Sequence, residues 1–278
     1  MLAALRLPQD ARLFQIAFQA ILLAAGVLIR DFSLAASQMA LCFAAGLATQ
    51  SLWIRALGLK NVGYLSAIIT CLGVSLLLRA DSWWAHPLAA SLALSAKFTL
   101  RLRGKHLFNP ANLGVVLAVL LLPGAWISPG QWGSDLAFAA WFIALGGFVA
   151  SRAQRADTSW MFLAAYLLLI GAWYLWLGKS FASWMHHLQN GALLLFAFFM
   201  ISDPMTTPDR RSARILHAVC VAAVAFVWQF LLYKPNGLIW ALFFCVPLVP
   251  LLDALLPGKR FGWREVPEPV RFLSTAKQ

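Results

Sequence analysis

Apolar residues run along this chain in long blocks, and short polar stretches that carry most of the charge separate them. Ten blocks approach or exceed the length that a helix needs to cross the roughly 30 Å hydrocarbon core of a bilayer. They lie at residues 13–29, 36–53, 62–78, 86–100, 111–127, 135–151, 159–177, 183–201, 213–232 and 237–256. The fourth block is short and carries Lys97 near its end, which predicts a broken or tilted helix. The pattern therefore predicts an all-α integral membrane protein with about ten transmembrane helices, some of them broken.

Composition and charge support this fold class. The chain has 278 residues, of which 62% are hydrophobic and 12% are charged, whereas about 25% are charged in a typical soluble domain. We expect one polytopic membrane domain over residues 1–278, with a cytoplasmic C-terminal tail at 257–278.

The net charge of +12 would suit a nucleic-acid-binding protein, but the basic residues lie in the loops between apolar blocks. Of the 22 Lys and Arg residues, only Arg30, Arg79, Lys179 and Lys234 fall in loops on the predicted outer side. The positive-inside rule then predicts that both termini are cytoplasmic. We expect a multi-pass protein of the bacterial inner membrane whose surroundings are the lipid bilayer, with no nucleic-acid partner.

Two polar stretches interrupt the apolar pattern, GKHLFNPANLG at 104–114 and FAFFMISDPMTTP at 196–208. Each places a polar residue directly before a proline at the predicted end of a helix, and both fall on the predicted cytoplasmic side. Proline suits the first turn of a helix, and the residue before it is pushed out of helical conformation. The candidate cofactor- or substrate-binding residues are Asn109, Pro110, Asn112, Asp203, Pro204, Thr206 and Thr207.

These candidates have two interpretations. In one, Asn109 and Asp203 bind a ligand at helix breaks that Pro110 and Pro204 fix; in the other, they are ordinary helix caps. The nearby cations Arg101, Arg103 and Lys105 could neutralise Asp203, could hold a phosphate at the inner face, or could be solvated charges that set the topology.

The other chemistry-bearing residues indicate no catalytic or metal site. All ten acids lie in loops or near predicted helix ends, which disfavours a proton relay through this chain alone. The four cysteines form no CxxC pair, so neither an iron–sulfur cluster nor a zinc site is supported. A haem held by His86 and His187 remains an alternative, although surface roles suit these histidines better.

At three places the sequence resembles the RnfD/NqrB family of membrane subunits: the two stretches above and PNGLIWALFFCVPLVPLLD at 235–253. The resemblance implies a ten-helix fold of two pseudo-symmetric halves, similar in architecture to urea transporters. It also implies a place beside other membrane and redox subunits, in a complex that couples electron transport to the movement of sodium ions or protons.

In that family a threonine in an external stretch after the F-N-P-A helix carries covalent FMN. Here the corresponding stretch, SPGQWGSD at 128–135, contains no threonine. No position is therefore assigned to covalent FMN, Thr206 and Thr207 included, and a non-covalently bound flavin stays open.

The functional hypothesis is an RnfD/NqrB-like membrane component of an ion-translocating electron-transport system, without covalent FMN. Such a chain would be at most a non-catalytic or non-covalent-flavin subunit of an oxidoreductase. A small-solute transporter or channel of urea-transporter-like architecture is the alternative, and an assembly factor without a ligand is a third.

Overall fold

A computed structural model describes residues 10–29, 32–60, 62–128, 136–188 and 190–262, and most of these residues are helical. The helices are α1 (Ala11–Ile29), α2 (Ala36–Ala56), α3 (Leu65–Leu77), α4 (Ala85–Thr99), α5 (Pro110–Leu121), α6 (Leu136–Arg152), α7 (Ala156–Trp176), α8 (Phe181–Leu188), α9 (Gly191–Leu195), α10 (Arg211–Phe226), α11 (Gly237–Phe244) and α12 (Leu248–Leu255). π-Helical turns at Phe196–Met200 and Val227–Leu231 continue α9 and α10.

The described residues include four short strands, which form two antiparallel pairs between the helices. Strand β1 (Leu78–Ala80) pairs with β4 (Ala125–Ile127), with Arg79 opposite Trp126. Strand β2 (Arg101–Leu102) pairs with β3 (Lys105–His106), with Arg101 opposite His106. The second pair is a hairpin that carries the chain from α4 into α5.

Each of the ten predicted apolar blocks coincides with one helix or with two consecutive helices. The fourth block forms the single helix α4, so the break predicted there is absent. Within the described part of the chain, three helical segments suit a membrane crossing by length and composition, at Ala11–Ile29, Ala156–Trp176 and Arg211–Leu231. The pair α11 and α12, bent by 49°, would make a fourth. The figure of ten crossings therefore stays a prediction, as does the tail beyond residue 262, which lies outside the described residues.

Short helices form the core and longer helices surround them. Residues 191–202 are buried throughout, as are residues 70–80 and 111–116. A helix that is apolar on every side belongs inside a protein. The longer helices instead expose large apolar side chains, including Leu28, Leu168 and Leu175. An outer ring of this kind suits contact with lipid chains.

The helices contact one another in two similar sets. In the first part of the chain α1 packs on α3, α2 on α4, and α4 on α5. In the second part α6 packs on α9, α7 on α10, and α10 on α11. Contacts between α1 and α6 and between α5 and α11 join the two parts.

A glycine allows α6 to approach the buried π-helical turn. A Cβ atom added at Gly146 would lie 2.7 Å from the Cβ atom of Phe198. A Cβ atom added at the next residue, Gly147, would meet its nearest side chain, that of Trp160, only at 3.7 Å. Position 146 therefore has no room for a side chain, whereas position 147 has room for a methyl group.

We expect Gly146→Ala to lower the free energy of unfolding by about 1–3 kcal/mol, because the new methyl group overpacks the contact with Phe198. Gly147→Ala is the matched control. It has room for the methyl group and gains up to about 1 kcal/mol of helix propensity. Thermal unfolding of both variants in detergent, followed by tryptophan fluorescence, measures the difference. Equal melting temperatures would contradict this account of the packing.

Candidate functional site

The two polar stretches meet at the ends of two core helices. Asn109 caps α5, because its Oδ1 atom accepts the backbone N–H of Asn112 at 3.1 Å, and Pro110 occupies the first helical position. The Asn109 side-chain amide also points at the end of the π-helical turn. Its Nδ2 atom lies 3.4 Å from the carbonyl oxygen of Met200 and 3.5 Å from Oδ2 of Asp203. The structure therefore brings Asn109 and Asp203 together, although they lie 94 positions apart in the sequence.

The backbone around Asp203 is closed by its own hydrogen bonds. The Met205 N–H donates to Oδ1 of Asp203 at 2.9 Å. The hydroxyl groups of Thr206 and Thr207 donate to the Asp203 carbonyl oxygen at 3.4 and 3.1 Å. Thr206 and Thr207 are both buried, and their hydrogen bonds hold the turn. Partly buried Asp203 keeps Oδ2 directed at Asn109.

Desolvation raises the pKa of the Asp203 carboxyl group above its ordinary value. The hydrogen bonds from Met205 and Thr206 and the positive charge of Arg155 oppose this shift. Burial is the larger effect, and the protonated form is favoured more here than in water.

Asn112 has a different partner from Asn109. It is buried, and its Nδ2 atom donates to the carbonyl oxygen of Ile239 at 3.0 Å. This hydrogen bond joins α5 to α11. Asn112, like Asn109, therefore ties the two parts of the chain together.

A cavity of about 300 Å³ lies between the two stretches. Four predicted residues line it, namely Asn109, Pro110, Asp203 and Pro204, whereas Asn112, Thr206 and Thr207 do not. Apolar side chains form much of the wall, among them Leu195, Phe98, Phe198, Phe199 and Met200. Polar and charged groups complete it, among them Arg12, Gln19, Ser66, Lys97, Arg101 and His106. Its size lies at the lower end of the range for small-molecule sites, which are mostly apolar with a few convergent polar groups.

Lys97 is the functional candidate that the sequence analysis missed. It was counted there as a charge on the predicted inner side, but its side chain is only 7% exposed and lines the cavity. Its Nζ atom donates to Oγ of Ser66 at 2.6 Å and to Oε1 of Gln50 at 3.0 Å. The available signal was a lysine inside an apolar block, since an ionisable residue within a membrane helix is by default a functional candidate.

Lys105, in the basic run beside the first motif, pairs with other acids and not with Asp203, so the interpretation that it neutralises Asp203 is wrong for this residue. Its Nζ atom lies 2.6 Å from Oδ2 of Asp253 and 3.1 Å from Oδ1 of Asp209. It also donates to the carbonyl oxygen of Thr207 at 2.6 Å. Arg101 instead donates to the Gly104 carbonyl oxygen and remains exposed at the cavity.

Arg155 supports the same loop from the other side. Its Nε atom donates to Oγ1 of Thr207 at 2.9 Å, and its guanidinium group lies over the ring of Phe261. Burial, with repulsion from Arg214, lowers the pKa of Arg155 to about 10. The group stays charged at neutral pH and compensates part of the charge of ionised Asp203.

The histidines of the haem alternative have other partners. The Nε2 atom of His86 lies 3.1 Å from the carbonyl oxygen of Leu78, and that of His187 lies 2.8 Å from the hydroxyl oxygen of Tyr174. Within the described residues, no cluster of three or more His, Cys, Asp or Glu side chains could hold a metal ion.

We expect Asn109→Ala to destabilise the protein by more than the loss of an ordinary cap, which costs about 1 kcal/mol. The variant also removes the only side-chain amide between Met200 and Asp203 among the described contacts. Asn190→Ala is the matched control, because Asn190 caps α9 by the same type of bond, to the Ala192 N–H. Thermal unfolding of the two variants separates cap from contact. If Asn109→Ala lowers the stability no more than Asn190→Ala does, Asn109 acts only as a helix cap.

We expect the stability difference between Asp203→Asn and the unsubstituted protein to depend on pH. Because the folded-state pKa of Asp203 is raised, folding is favoured where the carboxyl group is protonated. That contribution is complete below the unfolded-state pKa of about 3.9 and is lost as pH rises through the folded-state value. Asparagine does not titrate, so its relative stability should increase with pH across this window. Melting temperatures over a pH series provide the measurement, and a constant difference would contradict the shift.

Part of the chain that forms this site is similar to a known protein family. Residues 128–262 match the NQR2, RnfD, RnfE family. The matched segment contains the second and third motifs, whereas GKHLFNPANLG precedes it.

Several curated relatives are each named as a component of an ion-translocating oxidoreductase complex. The protein of Stutzerimonas stutzeri is 27% identical over 160 residues, which are 56% of this chain and 38% of that protein. The protein of Yersinia pseudotuberculosis serotype O:1b is 29% identical over 153 residues, 54% of this chain and 36% of that protein. The protein of Escherichia fergusonii is 25% identical over 141 residues, 51% and 36% of the two chains. The matches thus span well under half the length of these relatives.

Proposed function

We propose that this chain is an RnfD/NqrB-like membrane subunit of an ion-translocating electron-transport complex, because residues 128–262 match the NQR2, RnfD, RnfE family. The observation that carries the proposal is the family match over the Asp203 motif and the PNG segment. The names of the relatives, each a component of an ion-translocating oxidoreductase complex, support it. The protein would lie in the bacterial inner membrane, with both termini cytoplasmic and with other membrane and redox subunits as partners.

The two similar sets of helix contacts support a fold of two pseudo-symmetric halves, α1–α5 and α6–α12. If α1 corresponds to α6, α2 to α7, α3 to α9, α4 to α10 and α5 to α11, the contacts of α1 with α3, α2 with α4 and α4 with α5 each have a counterpart in the second half. The two cross-contacts, α1 with α6 and α5 with α11, then join corresponding helices. An axis between the halves would produce this pattern, as in transporters built from repeats. The helix starts at Asn109 and Asn236 would correspond as well.

A non-covalent redox ligand has a suitable place in the cavity. The aromatic side chains Phe98, Phe198 and Phe199 offer apolar walls, and Asn109 and Asp203 offer hydrogen-bonding groups. Covalent FMN at 128–135 is not part of the proposal, because that stretch has no threonine. Residues 129–135 lie outside the described part of the chain.

The same cavity supports a second candidate function, a transporter or channel for a small solute. Its polar groups lie where two core helices end, which is a common position for substrate sites in transporters with broken helices. The two functions differ in what must accompany the chain. Electron transport requires redox partners, whereas solute transport requires only this protein and a membrane.

We expect the tagged chain, purified from its native membranes under mild conditions, to retain flavin- or iron–sulfur-containing subunits. Optical spectra before and after reduction, with mass spectrometry of the co-purified proteins, provide the measurement. Asp203→Asn should leave assembly intact and lower ion transport coupled to electron flow, since the variant removes the acid on the cavity wall.

Asp81→Asn is the matched control, because Asp81 is exposed and outside the cavity lining. Native preparations with neither redox subunits nor bound flavin would contradict the electron-transport proposal. Solute uptake into proteoliposomes containing this protein alone would favour the second function.

A further inference from the structure

The buried ammonium group of Lys97 is hydrogen-bonded only to neutral groups among the described residues. Both of its hydrogen-bond acceptors, the side-chain oxygen atoms of Gln50 and Ser66, are neutral. Gln50 is itself fixed, because its Nε2 atom donates to the Gly63 carbonyl oxygen at 2.9 Å. Among the described residues no carboxylate forms an ion pair with Lys97. A buried cation without an anionic partner is costly, and membrane proteins keep such groups where they face a cavity or a ligand.

The charges around the cavity also leave a positive excess. The cations on its wall are Arg12, Lys97 and Arg101, and Asp203 is the one acid among the described lining residues. Arg12 is compensated by Asp10, at 2.6 Å between Nη2 and Oδ2. Asp203 therefore balances only one of the remaining two cations. A single negative charge would restore neutrality.

The uncharged part of the wall indicates what kind of ligand would carry the negative charge. The ring of Phe98 lies 5.1 Å from Nζ of Lys97, and the apolar side chains of the π-helical turn continue the surface. Gln19 is 3% exposed on the same wall, and its Oε1 atom has no hydrogen-bond partner in the described structure. The cavity thus combines an apolar wall with polar groups that still have hydrogen-bonding capacity.

We propose that this cavity binds an amphipathic ligand through one anionic group, which Lys97 holds with its third N–H and Arg101 approaches from the exposed side. The apolar body of the ligand lies against Phe98, Phe198 and Phe199. A phospholipid head group and a soluble phosphate ester share this chemistry. The proposal rests on the cavity and its charges, and it does not depend on the electron-transport role.

Two pairs of probes test the anionic group and distinguish its sources. For a soluble ligand, the purified protein in neutral detergent is titrated with FMN and with riboflavin, which differ in the phosphate, and flavin fluorescence anisotropy is recorded. For a lipid, nanodiscs of phosphatidylglycerol and of phosphatidylcholine are compared by native mass spectrometry of retained lipid. We expect the anionic member of one pair to bind at least about tenfold more tightly, as a hydrogen-bonded charge pair allows.

Lys97→Met should abolish this preference, and Lys97→Arg should retain part of it. Lys179→Met is the matched control, since Lys179 is exposed and outside the cavity lining, and it should change nothing. Arg101→Gln, at an exposed position, should weaken the preference without affecting folding, so the test does not depend on Lys97→Met being stable. The proposal is overturned if neither pair shows a preference, or if the preference survives both Lys97→Met and Arg101→Gln.

Discussion

This structure depends on satisfying the backbone groups of helices that end inside the protein. The first N–H groups and last C=O groups of any helix lack partners within it, and in an apolar interior they need partners from elsewhere. Helix α5 begins, and the π-helical turn after α9 ends, among buried residues. Asn109 meets both demands, since it caps α5 with its oxygen and directs its amide at the Met200 carbonyl group. One asparagine thereby joins two helix ends that lie far apart in the sequence.

The charged side chains beyond these ends stabilise the loop that follows Asp203. Lys105, on the β2–β3 hairpin, holds Asp209 and Asp253 together, and Arg214 contacts Asp157 with its guanidinium group. Breaking one partner of a buried pair costs about 3–5 kcal/mol, because the other charge is left unpaired. These contacts join the hairpin, the loop after Asp203 and α12, and they help to hold Asp203 on the cavity wall.

Much of this arrangement could be predicted from the sequence, because helices and their breaks are local properties. The apolar blocks predicted the helices. The prolines predicted the helix ends at which Asn109 and Asp203 lie. The family resemblance is confirmed by the match at 128–262, which contains the second and third motifs. Side-chain partners were less accessible, because they depend on packing between distant elements. Lys105 lies next to the first motif in sequence, yet α12 supplies its strongest partner, Asp253. The motif also did not show that Thr206 and Thr207, both predicted as candidate binding residues, donate to the carbonyl oxygen of Asp203.

Lys97 and Asp203 face the same cavity with opposite charges and do not form an ion pair. A direct pair would close the space between them and neutralise both groups, as happens at Lys105. Instead Gln50 and Ser66 hold the lysine on one wall, while Asn109 and the Met205 N–H hold the acid on another. Neutral groups thus hold each charged side chain on its own wall. The two charges stay apart, and the space between them stays open. A space kept polar at this cost is more consistent with occupancy by a ligand than with a packing defect, since well-packed apolar side chains in place of the charges would be the more stable solution.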